Sequence, residues 1–359
     1  MILLKNDAAC MEEVCDKNKR IILYGAGASC KLILQAYYES RLKDHLEFIV
    51  DSNDSLNDTE CSVNENIKVR VISLRQFIHI YKGKLDDFIM IMTPYHSLHY
   101  VQELDEVEEL NGLAVYLFSM IVNKTKPGIF SFRSTEKPLI PKIIHYIWIG
   151  GGEMPEEDKK NIETWHQFCP DYEIKLWNEE NYDFHKNQYA YEAIEQKQYM
   201  YATDYARKDI LYTYGGIYFD TDVELLKPID DLLYNEAFIG IEDGGQLNSG
   251  SGLGAVPKHP LIKGMRDIYQ DISFYDEDGS INYKYNTYYE TRYMLQQGYM
   301  LKNCCQNING MVCFPREVFM PEGIIGLWDN YTERTLANHK IDPYDKTERR
   351  KILERVAED

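Results

Sequence analysis

The run Leu211-Tyr-Thr-Tyr-Gly215-Gly216-Ile-Tyr218-Phe-Asp220-Thr-Asp222 leaves little choice in how this part of the chain folds. A helix-like segment meets two glycines that break it, and an apolar β-rich run follows at once. The expected product is a helix, a tight turn and a strand that ends on two carboxylates. In extended backbone, residues two apart project the same way, so Asp220 and Asp222 point together. Two hard oxygen donors at that spacing suit Mg²⁺ or Mn²⁺, and such an ion can also hold a diphosphate. Spacing alone is weak in a chain with 58 acidic residues, and Asp276-Glu277-Asp278 repeats it. That second copy sits in Asp-Glu-Asp-Gly-Ser, which reads as a solvated turn.

The acidic excess narrows the partners. A net charge of −19 argues against a nucleic-acid partner and against broad adhesion to anionic lipid. Most of that excess falls after residue 135, in the half that holds the paired aspartates. The eight cysteines form no CxxC pattern, so a zinc knuckle or redox dithiol is not expected. Scattered thiols suggest a reducing cytoplasm. The apolar start Met1-Ile-Leu-Leu is too short for a signal peptide, and no run approaches the ~20 apolar residues of a membrane span. Membrane association is expected to be peripheral at most.

With 359 residues the chain has room for two domains. Strand and helix patterns alternate over residues 20–122. Strands are expected at Arg20–Tyr24, Glu47–Asp51, Val69–Val71, Asp87–Met92 and Leu113–Phe118, with helices after Gly27, over Leu74–Tyr81 and over about Leu98–Leu110. Such alternation implies an α/β, Rossmann-like parallel sheet covered on both faces. Residues 123–140, with Lys-Pro-Gly and Glu-Lys-Pro, read as a linker. A second α/β unit spans 141–359. It opens on the strand Ile143–Trp148 and a glycine turn, and continues through a helix over Pro155–Cys169. A strand Tyr172–Trp177, helices Tyr189–Lys197 and Met200–Tyr214, the strand to Asp220, its partner Val223–Leu226, and Ala237–Ile241 complete it.

Three constellations can carry chemistry. Gly25-Ala26-Gly27 after the first strand, with Asp51 closing the second, resembles a truncated dinucleotide fingerprint whose third glycine is replaced by Cys30. It reads equally as a tight turn that binds nothing, or binds a partner. Asp204 and Arg207 share one helix face. Because that helix runs into the aspartate pair, Arg207 suits an anionic leaving group and Asp204 suits sugar hydroxyls. Trp148 ends its strand just before Gly150-Gly151-Gly152. It is either core or a stacking face for a nucleobase at the ligand-binding edge of the sheet. Tyrosines also crowd residues 275–299, either as an acceptor-side lining or as core.

Together, Ile143-Ile-His-Tyr-Ile-Trp-Ile-Gly-Gly151, Trp165…Cys169-Pro-Asp-Tyr-Glu…Leu-Trp-Asn178 and Asp204-Tyr-Ala-Arg207…Asp220-Thr-Asp222 resemble the DXD-containing retaining glycosyltransferases of GT-A fold. These include bacterial capsular-polysaccharide sugar transferases and yeast-type α-mannosyltransferases, and are related to the glucosylating domain of large clostridial toxins. The resemblance is close over about residues 140–255 and looser to near 340. It implies a nucleotide-sugar donor (a UDP- or GDP-sugar), Mn²⁺ or Mg²⁺, and a saccharide or lipid-linked acceptor, in surface polysaccharide synthesis with polysaccharide-assembly proteins as partners.

Carried over by residue, the resemblance has Trp148 stacking on the base, Asp204 and Arg207 on donor sugar and phosphate, and Tyr218 near the nucleotide. Asp220 and Asp222 would bind ribose and metal, Asn248 would lie near the donor, and His339 would complete the metal site. Asp204, Arg207 and Asp222 would be catalytic. After His339 the chain departs from the family's Ser-Trp, reading Lys340-Ile-Asp-Pro-Tyr344. Two other readings are weighed. One is a nucleotide-sensing or partner-docking module with a degenerate transferase domain. The other, an NAD-dependent oxidoreductase, lacks a complete glycine fingerprint and ranks last.

Overall fold

A computed structural model describes residues 1–94, 97–322, 329–340, 350, 351 and 354, so Ile341–Tyr344 lie outside the described residues. The strands of the first sheet are β1 (Leu3–Lys5), β2 (Arg20–Tyr24), β3 (Leu46–Asp51), β4 (Thr59–Ser62), β5 (Lys68–Ser73), β6 (Phe88–Met92) and β7 (Ala114–Leu117). They lie in the order β1-β7-β6-β2-β3-β5-β4. Every pairing is parallel except β4 with β5. Its central strands are near-continuous apolar runs, as a sheet covered on both faces requires. The five expected strands are present. The sequence reading missed β1 and β4, which are short and, in β4, mostly exposed and polar.

A second sheet holds β8 (Ile143–Ile147), β9 (Glu173–Trp177) and β10 (Gly216–Tyr218). After β11 (Val223–Leu225) come its other members, β12 (Ala237–Ile241), β13 (Leu247–Ala255), β14 (Gln306–Ile308) and β15 (Met311–Phe314). The order is β14-β15-β12-β13-β10-β8-β9, parallel from β10 to β9 and mixed beyond. The strand after the aspartate pair does not join it. Instead β11 pairs antiparallel with β16 (Ala337–His339), Val223 facing His339. That two-stranded ribbon delivers a residue 117 positions away to the side of Asp222.

The Gly-Gly break has a partner that the sequence reading did not single out. Gly215 closes the Tyr199–Tyr214 helix, its N–H donating to Leu211 O at 2.8 Å. Gly216 has φ +97°, and a Cβ there would meet Ile143 O at 2.7 Å and His145 Nε2 at 2.9 Å. His145 is fully buried. Trp177 Nε1 donates to its Nδ1 at 3.0 Å, so the proton is on Nε2, which donates to Gly215 O at 2.9 Å. Burial holds its pKa down at about 4, the Gly215 carbonyl only partly offsetting this. An unfolded histidine takes its proton near 6.5, so the unfolded chain binds more protons between that pH and about 4. Stability contributed by neutral His145 is complete above pH 6.5 and is lost on acidification through that window, to about 3 kcal/mol. His145→Gln should flatten this part of the stability–pH curve, measured by urea unfolding between pH 7 and 4.

The two sheets share one apolar cluster. It runs from Ile21 of the first sheet, with Cys30 and Leu34 of the Ala28–Tyr37 helix that covers it, to Ile239 and Leu247 of the second sheet and Leu301 in the loop before β14. Tyr37 Oη donates to Leu301 O at 2.6 Å across that junction, and Asn123 Nδ2 to Asp243 Oδ1 at 3.3 Å. No described helix is long and apolar enough to cross a membrane.

Candidate active site

The cleft begins where β10 ends. Asp220, Asp222 and His339 bring one potential ligand atom each to within 4.8 Å of one another. Among the described residues this is the one such group of three or more. His339 Nε2 lies 3.1 Å from Asp222 Oδ1, but without hydrogen-bond alignment, and Asp222 Oδ1 and His339 Nδ1 are buried with no hydrogen-bond partner. Burial alone would lower the His339 pKa, yet the carboxylates of Asp222, Asp220 and Glu242 push it up to about 9. Burial alone would raise Asp222, yet His339 holds it below its ordinary value. The site therefore draws positive charge and leaves donor atoms unspent. Two carboxylates with an imidazole fit Mn²⁺, and the carboxylates alone fit Mg²⁺.

Asp220 is locked from behind. Tyr218 Oη donates to its Oδ1 at 2.8 Å, and Arg207 Nη1 reaches Oδ2 at 3.4 Å. Its backbone N–H donates to Gly250 O at 2.9 Å. Arg207 is 2% exposed and also donates to Thr203 Oγ1 at 2.7 Å. Its guanidinium stacks 4.9 Å over Tyr218. At Gly250 a Cβ would overlap Asp220 Oδ2. Gly250→Ala should therefore turn Asp220 out of place and cut turnover about 100-fold or more, while a thermal melt moves little.

Glu242 directly follows β12, lines the same cleft and is buried. Burial lifts its pKa to about 8, although Asn248 Nδ2 donates to it at 2.8 Å. The other end of that amide is also occupied, Asn248 Oδ1 accepting from Gly250 N at 2.8 Å. Asp204 stands behind Arg207, its Oδ1 3.5 Å from Nη2 and without a hydrogen-bond partner. Burial pushes the Asp204 carboxyl up to about 7 against the pull of Arg207 and Lys208.

The sequence-derived residues separate into two groups. Arg207, Asp220, Asp222, Asn248 and His339 line one cleft. Asp204 and Tyr218 are buried directly behind it. Trp148 is not part of the lining. It follows β8, beside β10 in the sheet, and its Nε1 donates to Gly152 O at 2.8 Å. The Asp276 copy is indeed a turn, Asp278 Oδ1 accepting from Ser280 N at 3.0 Å. In the first sheet, Asp51 accepts from the amides of Ala26 (2.8 Å) and Asn53 (2.9 Å), one bond to each oxygen, and so holds the glycine turn.

The sequence reading missed Glu242, Lys208 and Glu290. Lys208 and Glu290 are both 0% exposed and 2.6 Å apart. Lys208 Nζ also donates to Asp204 O at 2.8 Å, and Glu290 accepts from Ser249 N (3.0 Å) and Oγ (2.5 Å). Every residue from Tyr201 to Leu211 is buried, so a helix that looks half-polar has no solvated face. The one available signal was for Glu242, a carboxylate directly after the fully apolar strand Ala237–Ile241.

Residues 155–239 match the family described as a glycosyltransferase sugar-binding region containing a DXD motif. Three curated relatives are similar over part of the chain. Inositol phosphoceramide mannosyltransferase 3 of Schizosaccharomyces pombe is 32% identical over 133 residues, 36% of this chain and 37% of that protein. Inositol phosphoceramide mannosyltransferase 2 of the same yeast is 34% identical over 165 residues, 44% and 47% of the two chains. Mannosyl phosphorylinositol ceramide synthase SUR1 of Saccharomyces cerevisiae is 33% identical over 135 residues, 36% and 35%. The chain thus spans about half, or less, of the curated relatives it matches. Over that region it is similar to glycosyltransferases that carry a DXD motif, with Asp220-Thr221-Asp222 in the motif's place.

Proposed function

We propose that this chain is a metal-dependent retaining glycosyltransferase that moves a sugar from a nucleotide-sugar donor to a saccharide or lipid-linked acceptor. The observation that carries the reading is the convergence of Asp220, Asp222 and His339 within 4.8 Å, with Arg207 2% exposed against Asp220. These three residues would hold Mn²⁺ or Mg²⁺, which when bound supplies Lewis-acid neutralisation of the diphosphate that departs. Arg207 adds a fixed guanidinium on the same side, held by Thr203 and Tyr218 so that little reorganisation is needed. Asp204, buried behind the cleft, would act on the donor by holding Arg207 in place, its Oδ1 3.5 Å from Nη2, while Asn248 lines the cleft. Trp148 is assigned to the base from its place at the same end of the sheet. Retention implies that the acceptor hydroxyl attacks the face the diphosphate leaves.

Support for the acceptor is uneven. The yeast relatives' names point to a lipid-linked inositol acceptor in those proteins. A role in surface polysaccharide, beside polysaccharide-assembly proteins, rests on the sequence resemblance. Placement in the cytoplasm, or peripherally at the inner face of a membrane, is read from the sequence, whose eight scattered cysteines suit a reducing compartment. The reading is tested by screening UDP- and GDP-sugars for hydrolysis with Mn²⁺, with Mg²⁺ and with a chelator. It predicts one preferred donor, turned over only with metal. Binding of a nucleotide with no hydrolysis or transfer of any donor would favour the sensing or docking module instead.

A further inference from the structure

The cleft at Asp222 does not end within the second sheet. It has a volume of about 640 Å³, in the range that encloses a whole small ligand, and its far wall is the carboxyl edge of the first sheet. That wall comprises the ends of β2, β3 and β6: Tyr24, Gly25 and Gly27, Asp51 and Ser52, Thr93 and Pro94. Between the two walls lies a ledge of Tyr283, Tyr285 and Tyr288. Tyr283 and Tyr285 are 57% and 52% exposed, and Tyr285 stacks on Tyr201 with ring centroids 6.0 Å apart. The far wall is fixed in place. The apolar cluster is continuous beneath it, and Gln35 Nε2 donates to Arg292 O at 3.1 Å across the junction.

We infer that the first sheet is a wall of the acceptor site, and that the acceptor group held there is an uncharged saccharide. Three features select that class. Exposed tyrosine faces give apolar contact to the C–H faces of a sugar ring and hydroxyls to its rim. Tyr24 is 1% exposed, its hydroxyl has no well-formed hydrogen-bond partner, and Ser52 stands beside it. Among the described residues this wall has no lysine or arginine and carries Asp51, whereas the cations of the cleft, Arg207, Lys284 and Lys340, come from the second half of the chain together with Asp220, Asp222 and Glu242. A phosphorylated group seated against this wall would meet the Asp51 carboxylate and no cation of the wall. The inference rests on the transferase reading for what happens to the saccharide, but not for where it binds.

The experiment uses the whole chain, with chelator for the NMR, because Mn²⁺ would broaden the protons of a nearby probe and could itself hold a phosphate, and with Mn²⁺ for donor hydrolysis. Methyl hexopyranosides of the gluco, galacto and manno series are the neutral probes, glucose 1-phosphate is the charged one, and saturation-transfer NMR is the readout. Gly27→Trp and Ser52→Trp fill the far wall. Gly27 has open space at its Cβ and Ser52 is exposed, so both variants should fold, as a thermal melt checks. The expected result is saturation transfer to at least one neutral glycoside and none to the phosphate. That signal should fall at least about ten-fold in both variants, with metal-dependent donor hydrolysis unchanged. Neutral signals that persist in a folded variant overturn the inference, as does binding of the charged probe alone or of no probe. Absence of donor hydrolysis in the wild type would instead sink the transferase reading, and leave a glycoside signal sensitive to Gly27→Trp standing.

Discussion

Asp222→Ala should abolish metal-dependent donor hydrolysis, with kcat down by at least about 10³-fold, several kcal/mol of lost charge stabilisation. Of the two aspartates it is the one with an unspent oxygen in the cluster, because Asp220 is already engaged by Tyr218 and Arg207. Its side chain is 49% exposed, so folding should change little and a thermal melt should separate chemistry from stability. Asp222→Asn keeps the shape but loses the charge, and it should be nearly as inactive. Turnover within about two-fold of wild type in either variant would remove the metal anchor from the account.

Lys208→Met should be the most destabilising single change near the site, by about 3–5 kcal/mol, because it leaves Glu290 buried without its cation. The pair is fully enclosed, and Glu290 also holds the β13 strand through both Ser249 donors. Replacing both members together, Lys208→Met with Glu290→Gln, should recover much of the loss. The neutral amide no longer has a charge to bury and still offers an oxygen to Ser249. Urea unfolding of the two single variants and the double variant measures this as a coupling energy. Additive losses would mean that the ion pair is not a unit. Because Ser249 Oγ lies 3.4 Å from Arg207, the same variants should weaken donor turnover as well as stability.

What the sequence showed, and what it hid, follows from how local each signal is. The Gly-Gly break and the alternation over residues 20–122 are short-range patterns of backbone and periodicity, and each has its counterpart in the structure. The aspartate pair instead lies beyond β10, which ends at Tyr218. Thr221 and Asp222 are in a turn closed by Val223 N–H donating to Asp220 O at 3.2 Å, rather than in the extended strand the spacing implied. Val223–Leu225 also reads correctly as a strand, but its partner is β16 rather than β10, since pairing across 100 residues is set by tertiary packing. The same pairing places His339, which the sequence could offer only by resemblance. Lys208 and Glu290 were illegible because charged residues normally mark a solvated face. The Lys208 helix is enclosed over Tyr201–Leu211, Glu290 lies on the buried face of its own helix, and a buried ion pair has no periodic signature. Asp51 shows the reverse case. Its position fits a ribose ligand, but its oxygens hold the glycine turn, a use visible only in three dimensions.

The central claim is that Asp220, Asp222 and His339 anchor a metal that in turn anchors the donor's diphosphate. Isothermal titration of UDP and GDP into the protein, with Mn²⁺ and with chelator, tests it most directly. The account predicts that one of the nucleotides binds with Mn²⁺ at least about 100-fold more tightly than without it. It also predicts that Asp222→Ala and His339→Ala remove that difference. Equal affinity with and without metal, or a metal effect that survives both substitutions, would contradict it.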